Sequence, residues 1–244
     1  MTITGAGKLT VTGNQNDGEG IATEAQDMTI SGSVEIYITS KDDGLNAGGD
    51  GGQITISDNA VVVVNAQGDG IDSNKNAVIS GGTIYTTTPS TSENAAIDTD
   101  DGYVINGGTV VALGTNMPET PLTTSTQVCL CFNLDSSVAA STVVVLLDSD
   151  SKVVLAFKST VQFQTLIMSS SAFAKGKTYT LYSGGTLSGA TLSSYNIYTG
   201  DSITYTAGTQ LAANSANTFT TSTSSTVNTF GSFNSGGGPG HEAA

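Results

Sequence analysis

Gly68-Asp69-Gly70-Ile71-Asp72, followed by Ile79-Ser80-Gly81-Gly82-Thr83-Ile84, is a phrase that residues 1–113 write four times. It occurs earlier as Asp42-Asp43-Gly44-Leu45-Asn46 with Ile54-Thr55-Ile56-Ser57, and before that as Gly18-Glu19-Gly20-Ile21 with Met28-Thr29-Ile30-Ser31-Gly32. It returns in altered form as Ala95-Ala96-Ile97-Asp98 with Val104-Ile105-Asn106-Gly107-Gly108-Thr109. Ile21, Leu45, Ile71 and Ile97 are spaced by 24, 26 and 26 residues, and Ile30, Ile56, Ile79 and Ile105 by 26, 23 and 26. A unit of this length buries its apolar face only against the next copy. At about 3.3 Å per residue it holds two or three short strands and their corners, and it lacks the 3.6-residue apolar period of a helical repeat. Each unit reads as one coil of a right-handed parallel β-helix, four to five coils in all, over residues 1–114.

Working outward, Val34, Ile36 and Ile38 alternate with Glu35 and Tyr37, as on a strand with one buried face. Beyond residue 114 the phrase stops. Segments 127–134, 142–147, 152–158, 165–168 and 178–182 read as strands, and Asp148-Ser149-Asp150-Ser151 reads as a hairpin turn. Residues 115–209 are therefore expected to be β-rich and antiparallel, covering an end of the coil. Residues 210–244 are rich in Ser, Thr, Asn and Gly, a composition with little apolar surface to offset ordering entropy. They are expected to be flexible, or to dock on a groove or on a neighbouring molecule through Phe219, Phe230 and Phe233. The whole chain reads as all-β.

Of the 14 net negative charges, 12 fall in residues 1–110, where 15 Asp and Glu stand against Lys8, Lys41 and Lys75. The chain contains no arginine, so nucleic acid is excluded as a partner, since its phosphates are bound by clustered cations. No apolar run is long enough to span a membrane. Met1 is not followed by the charged and apolar segments of a signal peptide, so a secreted protein is expected here in its mature form.

Aligning the copies places Glu19, Asp43, Asp69 and Ala95 in one column, and Ala22, Asn46, Asp72 and Asp98 in another. Adjacent coils lie about 4.8 Å apart, where two carboxylates repel by roughly 1 kcal/mol in water and more at lower dielectric. A hard divalent cation relieves that repulsion, and Ca²⁺ takes six to eight oxygen ligands in flexible geometry. Calcium is expected at Asp43, Asp69 and Asp72, with Glu19, Asp98, Asp100 and Asp101 as further ligands. Ordinary Gly-Asp turn chemistry is the alternative. Gly48-Gly49-Asp50-Gly51-Gly52 is similar to the repeat of calcium β-rolls but occurs once, and reads as a lengthened corner.

The order of these motifs, together with Asp98-Thr99-Asp100-Asp101-Gly102-Tyr103 and the later Lys175-Gly176-Lys177-Thr178-Tyr179-Thr180-Leu181-Tyr182, resembles the secreted bacterial carbohydrate-binding-domain proteins over most of residues 1–190. That family consists of pectate-lyase-like right-handed β-helices that bind calcium. The resemblance implies extracellular or cell-surface, non-catalytic, calcium-dependent binding of polysaccharide, including acidic, uronate-containing glycans. It also implies further coils before residue 1. Tyr37, Tyr85 and Tyr103 are the candidates for stacking on a sugar, the chain having no tryptophan.

Other classes leave weaker traces. A lyase would need a base near bound calcium; Lys75 is the candidate, and a surface lysine balancing local acid is the simpler reading. No catalytic residue is assigned, and His241 in the glycine-rich tail is not expected to be one. A structural class competes: a coil open at its end can stack end to end on another copy, and the tail can be donated to it, giving a calcium-stabilised filament. Cys129 and Cys131, two apart on a strand, share a face and are expected to be packed thiols, with Val128, Leu130, Phe132 and Leu134 on the other face.

Overall fold

The computed structural model describes residues 1–15, 18–24, 26–49, 52–89, 94–114 and 119–233. The second half of the Gly48–Gly52 corner is partly outside them, as are Pro118 and His241. Among the described residues there is no helix, and so none long and apolar enough to cross a membrane. The chain is all-β, a solenoid of about four turns with the parallel stacking of a right-handed β-helix, followed by antiparallel sheets.

Each turn has three faces. The first is built from Thr2–Ile3, Met28–Ile30, Ile54–Ile56 and the opening residues of Ala77–Thr87 and Tyr103–Gly114. The second stacks Ala6–Thr12, Ser33–Thr39, Val61–Asn65 and the closing residues of the same two long strands. The third stacks Ile21–Glu24, Leu45–Gly48, Ile71–Ser73 and Asp98–Thr99. On the first face Ile3, Ile30, Ile56, Ile79 and Ile105 follow one another coil by coil. This is the column that the repeat spacing predicts. Ile30, Ile56, Ile71, Ile79, Leu45, Val62 and Val64 are buried together in the solenoid interior. Removing one such side chain is expected to cost about 2–5 kcal/mol, because neighbouring coils cannot collapse into the gap.

The glycine of the Asp-Gly-Ile phrase has its own reason. A Cβ on Gly44 would collide with the Val64 side chain and the Gly70 carbonyl, and one on Gly70 with the Thr86 hydroxyl and the Ala96 carbonyl. The corner between the second and third faces is thus drawn close to the core, and the acid that precedes each glycine is carried with it.

The last coil is covered. Phe163–Ser169 pairs antiparallel with Tyr103–Gly114, Cys129–Val138 pairs antiparallel with Phe163–Ser169, and Val227–Phe230 adds in parallel. On the first face the chain crosses the last strand without forming a coil: Leu122 N–H donates to the Tyr103 carbonyl at 2.8 Å and Gln127 N–H to the Ile105 carbonyl at 3.1 Å. The covering sheet has two buried faces. Cys129, Cys131 and Ile167 close the solenoid core, whereas Leu130, Phe132, Leu166 and Met168 face a second core. The cysteines are free thiols, as the strand period predicts, and burial pushes Cys129 up to about 11. The second core is completed by the antiparallel sheet of Val143–Asp148, Val153–Lys158 and Thr178–Ser183. The expected hairpin turn is present, with Asp148 Oδ1 accepting from Asp150 N–H at 3.0 Å and Lys152 N–H at 2.9 Å.

As far as Phe233 the tail follows the docking alternative, on a groove of its own molecule, and is neither flexible nor donated to a neighbour. Phe230 stacks on Phe132 with ring centroids 5.1 Å apart, and Phe219 meets the same ring edge-on at 4.8 Å. Asn228 donates to the Cys129 carbonyl and Thr226 to that of Ser125. A few aromatic anchors and the pairing of Phe219–Thr220 and Val227–Phe230 with strands of the same molecule order a segment whose average composition is that of a linker.

Candidate functional site

The acidic corner lies where the second face turns into the third, and the register confirms both predicted columns. Ala22 is opposite Asn46, Asn46 opposite Asp72, and Asp72 opposite Asp98. Beside them, Gly20 N–H donates to the Asp43 carbonyl, Gly44 N–H to that of Asp69 and Gly70 N–H to that of Ala95. Glu19, Asp43, Asp69 and Ala95 therefore stack.

The protein relieves part of the repulsion with its own donors. Asp43 Oδ1 accepts from Asp69 N–H at 2.6 Å, and Asp69 Oδ1 accepts from Ala95 N–H. In the lower coils Asn46 Nδ2 also donates to Glu19 Oε1 at 2.9 Å and to Asp43 Oδ2 at 3.1 Å. One coil higher, the Asn46 position is taken by Asp72, and above it by Asp98. The amide that separates two carboxylates below is thus replaced by a third carboxylate above.

The result is a triad: ligand atoms of Asp69, Asp72 and Asp98 all lie within 4.8 Å of one another. Asp72 is 3 % exposed and Asp98 9 %. Asp98 Oδ1 accepts the N–H of Thr99 at 3.1 Å. Burial pushes the Asp69 carboxyl up to about 8, against the Ala95 N–H, with Asp43, Asp98 and Asp72 adding to the rise. Glu19 is raised too, by burial first and then by Asp43, Asp42 and Glu24, with Asn46 opposing. Asp69, raised that far, holds a proton at neutral pH unless a cation replaces it. The donors are all carboxylate oxygens, which fit a hard cation such as Ca²⁺, Mg²⁺ or Mn²⁺ and not a thiolate- or imidazole-seeking metal.

One acid at this corner carries no sequence signal. Glu119 arrives from beyond the repeat: Thr99 Oγ1 donates to its Oε2 at 2.9 Å, and Tyr103 Oη to its carbonyl at 2.8 Å. Burial pushes its carboxyl up to about 7, with Asp98 and Asp100 adding and the Thr99 hydroxyl opposing. It lies beyond the repeat, between Pro118 and Pro121 in sequence, so neither period nor motif singles it out.

The remaining sequence candidates are dispersed. Asp100 and Asp101 are exposed at the following corner and outside the triad. Lys75 is exposed, and its carbonyl accepts from Asp101 N–H. Two of the three tyrosines cannot stack on a sugar. Tyr103 is 0 % exposed, sealed inside the solenoid core beneath the covering segment. Tyr85 is 1 % exposed in the second core, edge-on to Phe157, with its hydroxyl donating to the Lys158 carbonyl at 2.8 Å. Tyr103 continues the inward column of Met28, Ile54 and Ala77, whereas the core that holds Tyr85 exists only once the second half has packed. Tyr37 stays at the surface, with Lys8 Nζ 4.0 Å from its ring centroid and its hydroxyl 2.6 Å from Ser194 Oγ.

Comparison of the chain with protein-family models, characterised proteins and solved structures returned no match.

Proposed function

We propose that this chain is an extracellular, non-catalytic, calcium-dependent carbohydrate-binding protein, with calcium bound in the triad Asp69, Asp72 and Asp98. The observation that carries the reading is the mutual approach of those carboxylate oxygens to within 4.8 Å at the point where the Asn46 amide has no counterpart. Calcium there neutralises the upper corner, while backbone carbonyls and water complete its oxygen shell. Because Asp72 and Asp98 are buried, the ion acts first on the fold: it ties the third coil to the fourth. Glycan contact falls to the accessible surface of the same corner, where Asp43 and Glu19 are only partly buried. A bound cation at this corner favours uronate-containing polysaccharide over neutral chains at the same place, by direct or water-mediated contact with the sugar carboxylate.

The filament reading has less support. End-to-end stacking needs both ends of the solenoid open, and the last coil is covered by residues 119–128 and by Phe163–Ser169. The tail strand Val227–Phe230 pairs within its own molecule.

The test is calorimetric titration of the chelator-treated protein with Ca²⁺, and of the calcium-loaded protein with tetragalacturonate. The reading expects saturable calcium binding that Asp72→Asn and Asp98→Asn weaken at least tenfold, and uronate binding that chelator abolishes. Calcium binding unaffected by both substitutions would remove the triad from the mechanism.

A further inference from the structure

A second concave site lies on a different corner, where the first face turns into the second. A cleft of about 310 Å³ opens there between the solenoid and the turn that follows Phe163–Ser169. Its floor is Gly81, Gly82 and Gly108. Gly82 and Gly108 hold φ of 82° and 84°, and a side chain on any of the three would run into carbonyl oxygens of the neighbouring coil. The glycines are thus required by the coil, and their missing side chains leave bare peptide groups along the corner.

The walls are as distinctive as the floor. Thr83 and Thr109 stand opposite each other one coil apart, Asp58 and Asn59 close one end, and Ser171 of the second half closes the other. Asp58 is itself fixed: its φ is 57°, and its Oδ2 accepts from Gly32 N–H at 2.9 Å. The lining holds hydroxyls, one amide, one carboxylate and peptide groups, with no lysine and no aromatic ring. The Asp58 carboxylate, with no lysine beside it, disfavours an anion, and without an apolar wall the cleft has nothing to hold a hydrophobic ligand. The volume is at the lower end of small-ligand sites, and the place, a junction between two packed units, is a common one for them.

We propose that this cleft is a subsite for a neutral glycan, which lies along the corner and exchanges hydroxyl hydrogen bonds with Thr83, Thr109, Asn59 and Asp58. The coil spacing of about 4.8 Å is commensurate with the advance of one pyranose residue in an extended chain, so Thr83 and Thr109 address successive sugars. The proposal deepens the carbohydrate-binding reading but needs neither the acidic triad nor an ion.

The experiment is calorimetry of the whole chain with a panel of neutral tetrasaccharides in gluco, manno, xylo and galacto configuration, in calcium and in chelator. At least one neutral sugar is expected to bind equally in both conditions. Asn59→Ala should weaken it about tenfold, and Ser171→Trp, on an exposed turn, should abolish it with the melting temperature unchanged. No binding across the panel, or binding that both variants leave intact, overturns the proposal. Tetragalacturonate binding in calcium that survives Ser171→Trp while the neutral sugar is lost separates this cleft from the acidic corner. Loss of uronate binding alone leaves the cleft standing and sinks the calcium-bridged reading.

Discussion

The same corner occurs twice in this molecule with opposite electrostatic solutions. In the lower coils Glu19 and Asp43 are held apart by Asn46, whose amide donates to both. In the upper coils the equivalent position is Asp72, facing Asp69 and Asp98. Backbone, register and the glycine that lets the corner approach the core are shared. A single exchange of amide for carboxylate therefore separates a corner where a side-chain amide lies between two carboxylates from one where three carboxylates converge. A repeat preserves geometry while letting chemistry drift from copy to copy, and the copy where carboxylates gather is the one to examine for a ligand.

The largest expected effect is calcium itself. If the upper corner binds it, raising free Ca²⁺ to one hundred times the dissociation constant stabilises the fold by about 2.7 kcal/mol, measurable by thermal or denaturant unfolding. Converting the upper corner toward the lower one with Asp72→Asn should remove that response and, in chelator, leave the protein more stable than the parent. A variant that loses stability in chelator would show that Asp72 is satisfied as it stands.

Next comes pH. Asp69 is raised from an ordinary 3.8 to about 8 and Glu119 from 4.5 to about 7. The folded state then keeps protons that the unfolded chain has released, so in chelator the stability is greatest below about pH 4 and falls as pH rises toward 8. Calcium should flatten that decline by replacing the proton. Urea unfolding across this range checks it, and a profile that rises with pH in chelator would contradict the assignment.

An effect of similar size is expected from the converse change. Asn46→Asp removes two side-chain hydrogen bonds to carboxylates and adds a third charge to the lower corner. A loss of about 1.5–3 kcal/mol in chelator, partly restored by calcium, would make the two corners alike. The smallest effect tests the boundary of the site: Asp100→Asn, at an exposed position, should change stability by less than about 0.5 kcal/mol and leave the calcium response in place.

Legibility in the sequence tracks repetition. The Ile30–Ile56–Ile79–Ile105 column and the stacking of Asn46, Asp72 and Asp98 follow from spacing alone, because a parallel coil puts equivalent positions one strand separation apart. For Tyr103 the same register was enough, since it stands in the inward column of Met28, Ile54 and Ala77, two residues from Ile105. The logic fails for Tyr85, which stands in the outward column of Tyr37 and Val63 and is covered by the second half.

The alternation of Cys129 and Cys131 with Leu130 and Phe132 was readable as a two-faced strand, since side chains on a strand alternate whatever they meet. What they meet was not. That one face would close the solenoid and the other carry Phe219 and Phe230 from a linker-like tail depends on contacts almost a hundred residues apart. Glu119 joins the acidic corner by the same route. The sequence by itself determined the coil, its register and its acid columns, because repeated local spacing is enough to specify parallel stacking. Only the tertiary structure decided which acids converge, that Tyr85 vanishes into a core and which end of the solenoid is closed, because those outcomes rest on long-range packing of segments that carry no period.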